Sequence, residues 1–181
     1  MHLSLCDFLS DITQNSLEAG ASLVKVKIRQ TLEDIEFCVE DNGKGMREEL
    51  LKKVTDPFYS DKEKHIKRRV GLGIPFLIQA TEVVDGQFSL QSKEGEGTTV
   101  TFKFPLNHID CPPIGDIALT ILSLLIYSMQ YEVEVTRTYQ NKGYVVVRSQ
   151  LEEVLEDFSS PANLFLLKQY LRSQEAALDD N

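Results

Sequence analysis

Asp41-Asn42-Gly43-Lys44-Gly45-Met46 follows directly on the alternating segment Ile35, Phe37 and Val39. The chain therefore leaves a half-buried strand through two closely spaced glycines. A carboxylate at a strand end accepts hydrogen bonds. The exocyclic amine of adenine donates them, where guanine offers an acceptor oxygen, so Asp41 has the polarity to choose adenine. Gly43 and Gly45 let the backbone come close to a base. Asp-Asn-Gly is also an ordinary hairpin turn, and these six residues alone leave both readings open.

Upstream, Leu5, Phe8, Leu9, Ile12, Ser16 and Ala19 recur at three- and four-residue spacing, which predicts an amphipathic helix ended by Gly20. Asp7, Asp11 and Asn15 stack along one side of it at i, i+4 and i+8. Val24, Val26 and Ile28 alternate with Lys25, Lys27 and Arg29, so two strands are expected around a turn at Glu33-Asp34. Downstream, Arg47 to Val54 reads as a short helix, and the polar, aperiodic stretch from Asp56 to Arg69 as a mobile loop. Gly71-Leu72-Gly73 opens a helix carrying Phe76, Leu77, Ala80 and Val83, stopped by Asp85-Gly86. Strands follow at Phe88–Leu90 and Val100–Phe104 around the turn Lys93 to Gly97.

Cys111-Pro112-Pro113-Ile114-Gly115 marks a boundary. Beyond it come an apolar helix at Asp116–Met129, strands at Glu132–Thr138 and Tyr144–Arg148, and charged helices to the end. The apolar helix offers either a homodimer interface or a face that packs on the sheet.

The totals narrow the classes. A chain of 181 residues with 42% hydrophobic content buries one main core, with room for a small appendage. Nineteen basic and 28 acidic side chains leave a net charge of -9, which argues against a protein built on nucleic-acid phosphates. Cys6, Cys38 and Cys111 lack metal-ligand spacing and leave one over from any pair, which predicts a reducing compartment. The longest apolar stretch, Ile117 to Ile126, is too short for a bilayer, and no leader opens the chain, so a cytoplasmic protein is expected.

Four separated pieces now belong together: Asp11 to Asn15, Asp41 to Gly45, Asp56-Pro57-Phe58-Tyr59-Ser60-Asp61-Lys62, and Gly71-Leu72-Gly73 with Gly97-Thr98-Thr99. Their order and spacing resemble the histidine-kinase-like ATPases, the GHKL or Bergerat-fold superfamily, over about residues 3 to 105. Gln14 to Ala21 looks like the mismatch-repair branch, while Asp56-Pro57-Phe58 and the Gly71 to Phe104 block look like sensor histidine kinases, the side favoured here. The tail is loosely similar to small bacterial ATP-binding proteins grouped with iron hydrogenases.

The resemblance implies an α+β, two-layer sandwich, with a mixed, mainly antiparallel sheet covered by helices on one face and a small α+β extension at the C-terminus. It implies an ATP-binding domain over residues 1–108, with an ATP lid at about 56–71, and an extension over 112–181. It also implies roles. Asn15 would give its oxygen to Mg²⁺, a hard ion that prefers oxygen ligands. Asp11 stands where many relatives carry the glutamate that orients or deprotonates water; aspartate is shorter and no better a base, which weakens hydrolysis more than binding. Asp41 and Thr98 would hold the adenine amine, with the turn from Gly43 through Gly45 to Met46 as the adenine end of the pocket. Gly71, Leu72 and Gly73 would bring helix N-terminal amides to the phosphates. Lys62 would add local positive charge with Lys64, Lys67, Arg68 and Arg69, and Phe58 would pack under the lid.

His2, His65 and His108 are the only histidines, and none falls in a helix that could carry a phosphoacceptor. Three functions are consistent with this: a kinase acting in trans on a protein partner that supplies the acceptor, a slow ATPase whose lid and tail follow the nucleotide, and a non-catalytic ATP-binding scaffold. The first is the leading expectation.

Overall fold

A computed structural model describes residues 4–55, 73–128 and 130–179. Helix α1 (Leu5–Glu18) starts at Ser4, whose hydroxyl accepts the Asp7 amide at 3.3 Å while the Asp7 carboxylate takes the Ser4 amide at 2.8 Å. This reciprocal cap satisfies two amides the helix cannot serve itself. At the other end the amides of Gly20 and Ala21 bond the carbonyls of Leu17 and Ser16, so the helix stops where the glycine predicted.

Strands β1 (Leu23–Gln30) and β2 (Asp34–Asp41) run antiparallel. The turn between them closes one residue earlier than expected. The Thr31 hydroxyl accepts the amides of Glu33 and Asp34 at 3.1 and 3.0 Å, which frees Asp34 to open β2. Then come α2 (Glu48–Val54), α3 (Gly73–Val83), β3 (Gln87–Lys93), β4 (Gly97–Pro105), α4 (Ile117–Leu125), β5 (Glu132–Tyr139), β6 (Lys142–Val147), α5 (Arg148–Leu155) and α6 (Pro161–Asp179).

The six strands form one sheet in the order β3-β4-β2-β1-β5-β6. Every pair is antiparallel except β1 with β5, so the sheet is mixed and mainly antiparallel, as expected of the α+β sandwich. The two strands of the C-terminal extension thus add to the edge of the first four.

Register turns the alternation of the sequence into rows across the buried face. Leu90, Val100, Val39, Val26, Val135 and Val146 form one; Phe88, Phe102, Phe37, Ile28, Arg137 and Tyr144 form the next. Phe37 and Phe102 stack with ring centroids 5.0 Å apart. Against this face pack α1 on β1 and β2, α3 on β3 and β4, and α4 on β5. Phe37, Phe102, Phe104, Leu5 and Leu9 are fully buried, each contributing about 1.5–3 kcal/mol. Lys25, Lys27, Glu40 and their neighbours line the opposite, polar face.

Helix α4 is shorter than the predicted Asp116–Met129. Asp116 is its cap, accepting the Leu119 amide at 2.8 Å, and the helix ends at Leu125. The next turn loses its acceptors: the Tyr131 hydroxyl donates to the Leu124 carbonyl, and Arg148 Nε donates to that of Leu125 at 2.9 Å. The helix buries Ile117, Ala118, Ile121, Leu122, Leu124 and Leu125, and its neighbours are α1, α6 and β5. Its apolar face is therefore packed within the sandwich. In the second hairpin Arg148 opens α5 instead of ending β6, and β6 begins at Lys142, after a two-residue turn with Gln140 at φ 53°. Among the described residues no helix is long and apolar enough to cross a membrane.

Candidate functional site

One row of the buried face turns polar at the strand ends. At the ends of their strands Ser92, Thr98 and Asp41 lie side by side on β3, β4 and β2, followed by Val24 and Val133. Asp41 is 8% exposed. Such a carboxylate needs donors, and it has two: the Ser16 hydroxyl of α1 gives to Oδ2 at 2.6 Å, and the Gly43 amide gives to Oδ1 at 2.8 Å. Among the described residues no ion pair reaches it. Each oxygen keeps acceptor capacity, so the group can take further donors.

The Asp41 to Met46 segment is no hairpin. It carries the chain from β2 to α2, wedged between the end of α1 and the β3–β4 turn. The Asn42 side chain accepts the amides of Ser22 and Leu23, both at 2.9 Å, the Lys44 amide bonds the Ala19 carbonyl, and the Lys44 carbonyl takes the Gly95 amide. Gly45 at φ 63° lies so close to β3 that a Cβ would meet the Lys93 carbonyl at 1.9 Å. Gly97 at φ 113° crosses Asp41 equally closely, with a Cβ 1.9 Å from the Asp41 carbonyl. Only glycine fits at either place.

Met46 is fixed by its amide, which donates to the Ser92 hydroxyl at 2.9 Å. Ser92 Oγ also lies 2.8 Å from Thr98 Oγ1 and 3.0 Å from the Gly97 carbonyl.

The other candidate residues flank this end of the sheet. Asp11 and Asn15 are half-buried on α1, one turn apart, with Ser16 next to Asn15. A Cβ on Gly73 would meet Asp11 Oδ2 at 2.5 Å, so the start of α3 is packed directly on that carboxylate. The structure therefore brings Asp11, Asn15, Asp41, Gly43, Gly45, Met46, Gly73 and Thr98 to one end of the sandwich. Phe58, Lys62, Gly71 and Leu72, with the expected lid, lie outside the described residues.

The donor set suits Mg²⁺ held in part by a ligand. Among the described residues no group of three or more His, Cys, Asp or Glu side chains could hold a metal. An amide oxygen at Asn15 is instead the sort of single ligand that Mg²⁺, keeping waters and phosphate oxygens, accepts.

Two site residues had weak signals in the sequence. Ser16 falls in the apolar periodicity of α1 and looked like part of the core. Ser92 continues the Phe88, Leu90 alternation, which places it on the buried face without hinting at three hydrogen bonds.

Comparison with known proteins identifies the family of the chain. The profile of the histidine kinase-, DNA gyrase B-, and HSP90-like ATPases matches residues 2–108. Sporulation kinase C of Bacillus subtilis is 33% identical over 98 residues, 53% of this chain and 22% of that protein. Sensor histidine kinase SpaK of Bacillus subtilis is 32% identical over 109 residues, 60% of this chain and 23% of that protein. The chain thus spans less than a quarter of either relative. In structure, the N-terminal domain of a DNA repair protein superposes with a TM-score of 0.50 at 13% identity, covering 89% of this chain and 58% of the other, a likeness of fold. The acidic strand end, the glycine crossings beside it and a family match that spans them all lead to one assignment: this chain belongs to the histidine kinase-, DNA gyrase B- and HSP90-like ATPase family.

Proposed function

We propose that the chain binds Mg-ATP at the Asp41 end of the sheet and passes the γ-phosphate in trans to a partner protein. The observation that carries the binding step is Asp41 itself, a buried carboxylate given two neutral donors and, among the described residues, no cation, with acceptor capacity left over. Such a group is costly to bury unless a further donor arrives. The 6-amino group of adenine is one. Gly43, Gly45 and Met46 give the base a backbone wall, and Thr98 extends the acceptor edge.

Toward the phosphates, Asn15 would hold Mg²⁺, which supplies neutralisation of phosphate charge. The first amides of α3 at Gly73, with Gly71 and Leu72 before them, favour an anion through the helix dipole. Lys62 would add a cation from the lid, and Phe58 would pack beneath it. Asp11, against the start of α3, would accept the proton of an acceptor hydroxyl or of water. His108 lies in a turn, where its Nδ1 accepts the Asp110 amide at 3.2 Å, and is no candidate for the phosphoacceptor. The kinase names of the similar Bacillus subtilis proteins support transfer over simple hydrolysis.

Incubation with γ-labelled ATP and Mg²⁺, alone and with candidate partners, tests the proposal. Label on a partner is the expected result. Free phosphate alone supports the second reading, a slow ATPase, which Asp11 beside Gly73 also permits. Absence of ATP binding by calorimetry rejects both.

A further inference from the structure

Ser92 has one proton and three polar neighbours. The Met46 amide can only donate to it, and the Gly97 carbonyl can only accept from it. The Thr98 hydroxyl can do either. If Ser92 gave its proton to Thr98, its lone pairs would face the Gly97 carbonyl at 3.0 Å, an uncompensated repulsion between two acceptors. The arrangement that satisfies every group has Ser92 donating to Gly97 and Thr98 donating to Ser92. Thr98 Oγ1 then has no proton left, and its remaining lone pairs are its only offer.

Ser16 acts alike on the other member of the row. Its hydroxyl lies 2.6 Å from Asp41 Oδ2 and 3.3 Å from the Ile12 carbonyl, so its proton goes to the carboxylate. Asp41 is acceptor-only by its chemistry, and Thr98, its direct neighbour across β2 and β4, is made acceptor-only by Ser92. We infer that Ser92 is a specificity-determining residue: by taking the Thr98 proton it makes the paired strand ends a surface of acceptors that admits 6-amino purine nucleotides and turns away 6-oxo ones. This rests on the proposed placement of the base at Asp41 and adds a second group, on a strand that carries no other candidate residue, to its selectivity. A 6-oxo purine brings its own acceptor oxygen to this surface and meets repulsion where the amine meets a partner.

Ser92→Ala removes the proton sink. The Thr98 hydroxyl can then turn its proton to a ligand, so the variant should bind inosine triphosphate better relative to ATP. The quantity read is the ratio of the two dissociation constants, by calorimetry with Mg²⁺ present. The wild type is expected to favour ATP, and Ser92→Ala to lower that preference by about tenfold, the worth of one hydrogen bond made or opposed. Ser92→Thr, which keeps the hydroxyl, should retain the wild-type ratio. An equal loss of affinity for both nucleotides in Ser92→Ala would mean that Ser92 only supports the loop, and would overturn the inference. Should Ser92→Ala fail to fold, Ser92→Cys, whose thiol is only a weak donor and acceptor, decides the same point, since an unchanged ratio in that variant overturns it and a lowered one upholds it. A wild type that binds neither nucleotide would instead remove the proposed function, and a wild type that binds both equally removes the selectivity alone.

Discussion

Two polar clusters interrupt the buried face of this sheet at opposite corners, and they are built on opposite terms. At one, the donors that meet the Asp41 carboxylate among the described residues are a hydroxyl and an amide, with acceptor capacity to spare. At the other, Arg137 on β5 is 3% exposed and fully engaged: Nε faces Glu175 at 3.3 Å, one terminal nitrogen gives to the Thr138 carbonyl at 2.8 Å, and the other to Gln30. Glu175 also accepts the Tyr144 hydroxyl, so α6 is tied to β5 and β6 through one carboxylate. A charge neutralised from within is structural. A carboxylate with acceptor capacity left over is what the proposed adenine contact requires.

Substitution should separate the two corners. Arg137→Ala leaves Glu175 without its buried cation and is expected to lower stability by about 3–5 kcal/mol in chemical denaturation, with nucleotide affinity of the folded fraction unchanged. Asp41→Asn should do the reverse. It places an amide donor against the adenine amine and should weaken ATP binding by about 1–3 kcal/mol or more while changing stability much less; unchanged affinity by calorimetry would undo the site assignment. Tyr144→Phe removes one of the donors to Glu175 and should cost about 1 kcal/mol of stability and nothing in binding. Asp11→Asn should spare ATP binding and reduce phosphate release or transfer, so equal turnover by both proteins would show that Asp11 is not the base.

The smallest effect concerns a neutral group. Burial pushes the Cys6 thiol from its ordinary 9.0 up to about 11, because the thiolate is poorly solvated in the core. With the folded value above the unfolded one, the contribution is intact below about pH 9 and lost as pH rises through about 11. Native-state alkylation at pH 8 should accordingly mark the less buried Cys38 well before Cys6.

Much of the Asp41 corner was legible beforehand. The alternation of β1 and β2, the glycines flanking a terminal carboxylate and the spacing of Asp11 and Asn15 are local patterns, and the folded chain keeps them. The Arg137 corner was not. Its partners Gln30, Tyr144 and Glu175 come from three separate segments, and nothing in β5 marks Arg137 as buried except the Val133, Val135 alternation that it continues. Ser16 and Ser92 were missed for a related reason, since a serine on a buried face gives no sign of which group it will meet. The early end of α4 depends on Arg148 and Tyr131, which reach its carbonyls only after the chain has turned back.

The parallel pairing of β1 with β5 sets Val24 beside Val133. During synthesis the strands that shape the Asp41 end emerge first and can zip together, yet β1 must wait with one flank of amides and carbonyls unmatched until β5 leaves the ribosome. Until β5 pairs, that flank of β1 is a raw strand edge open to any passing chain.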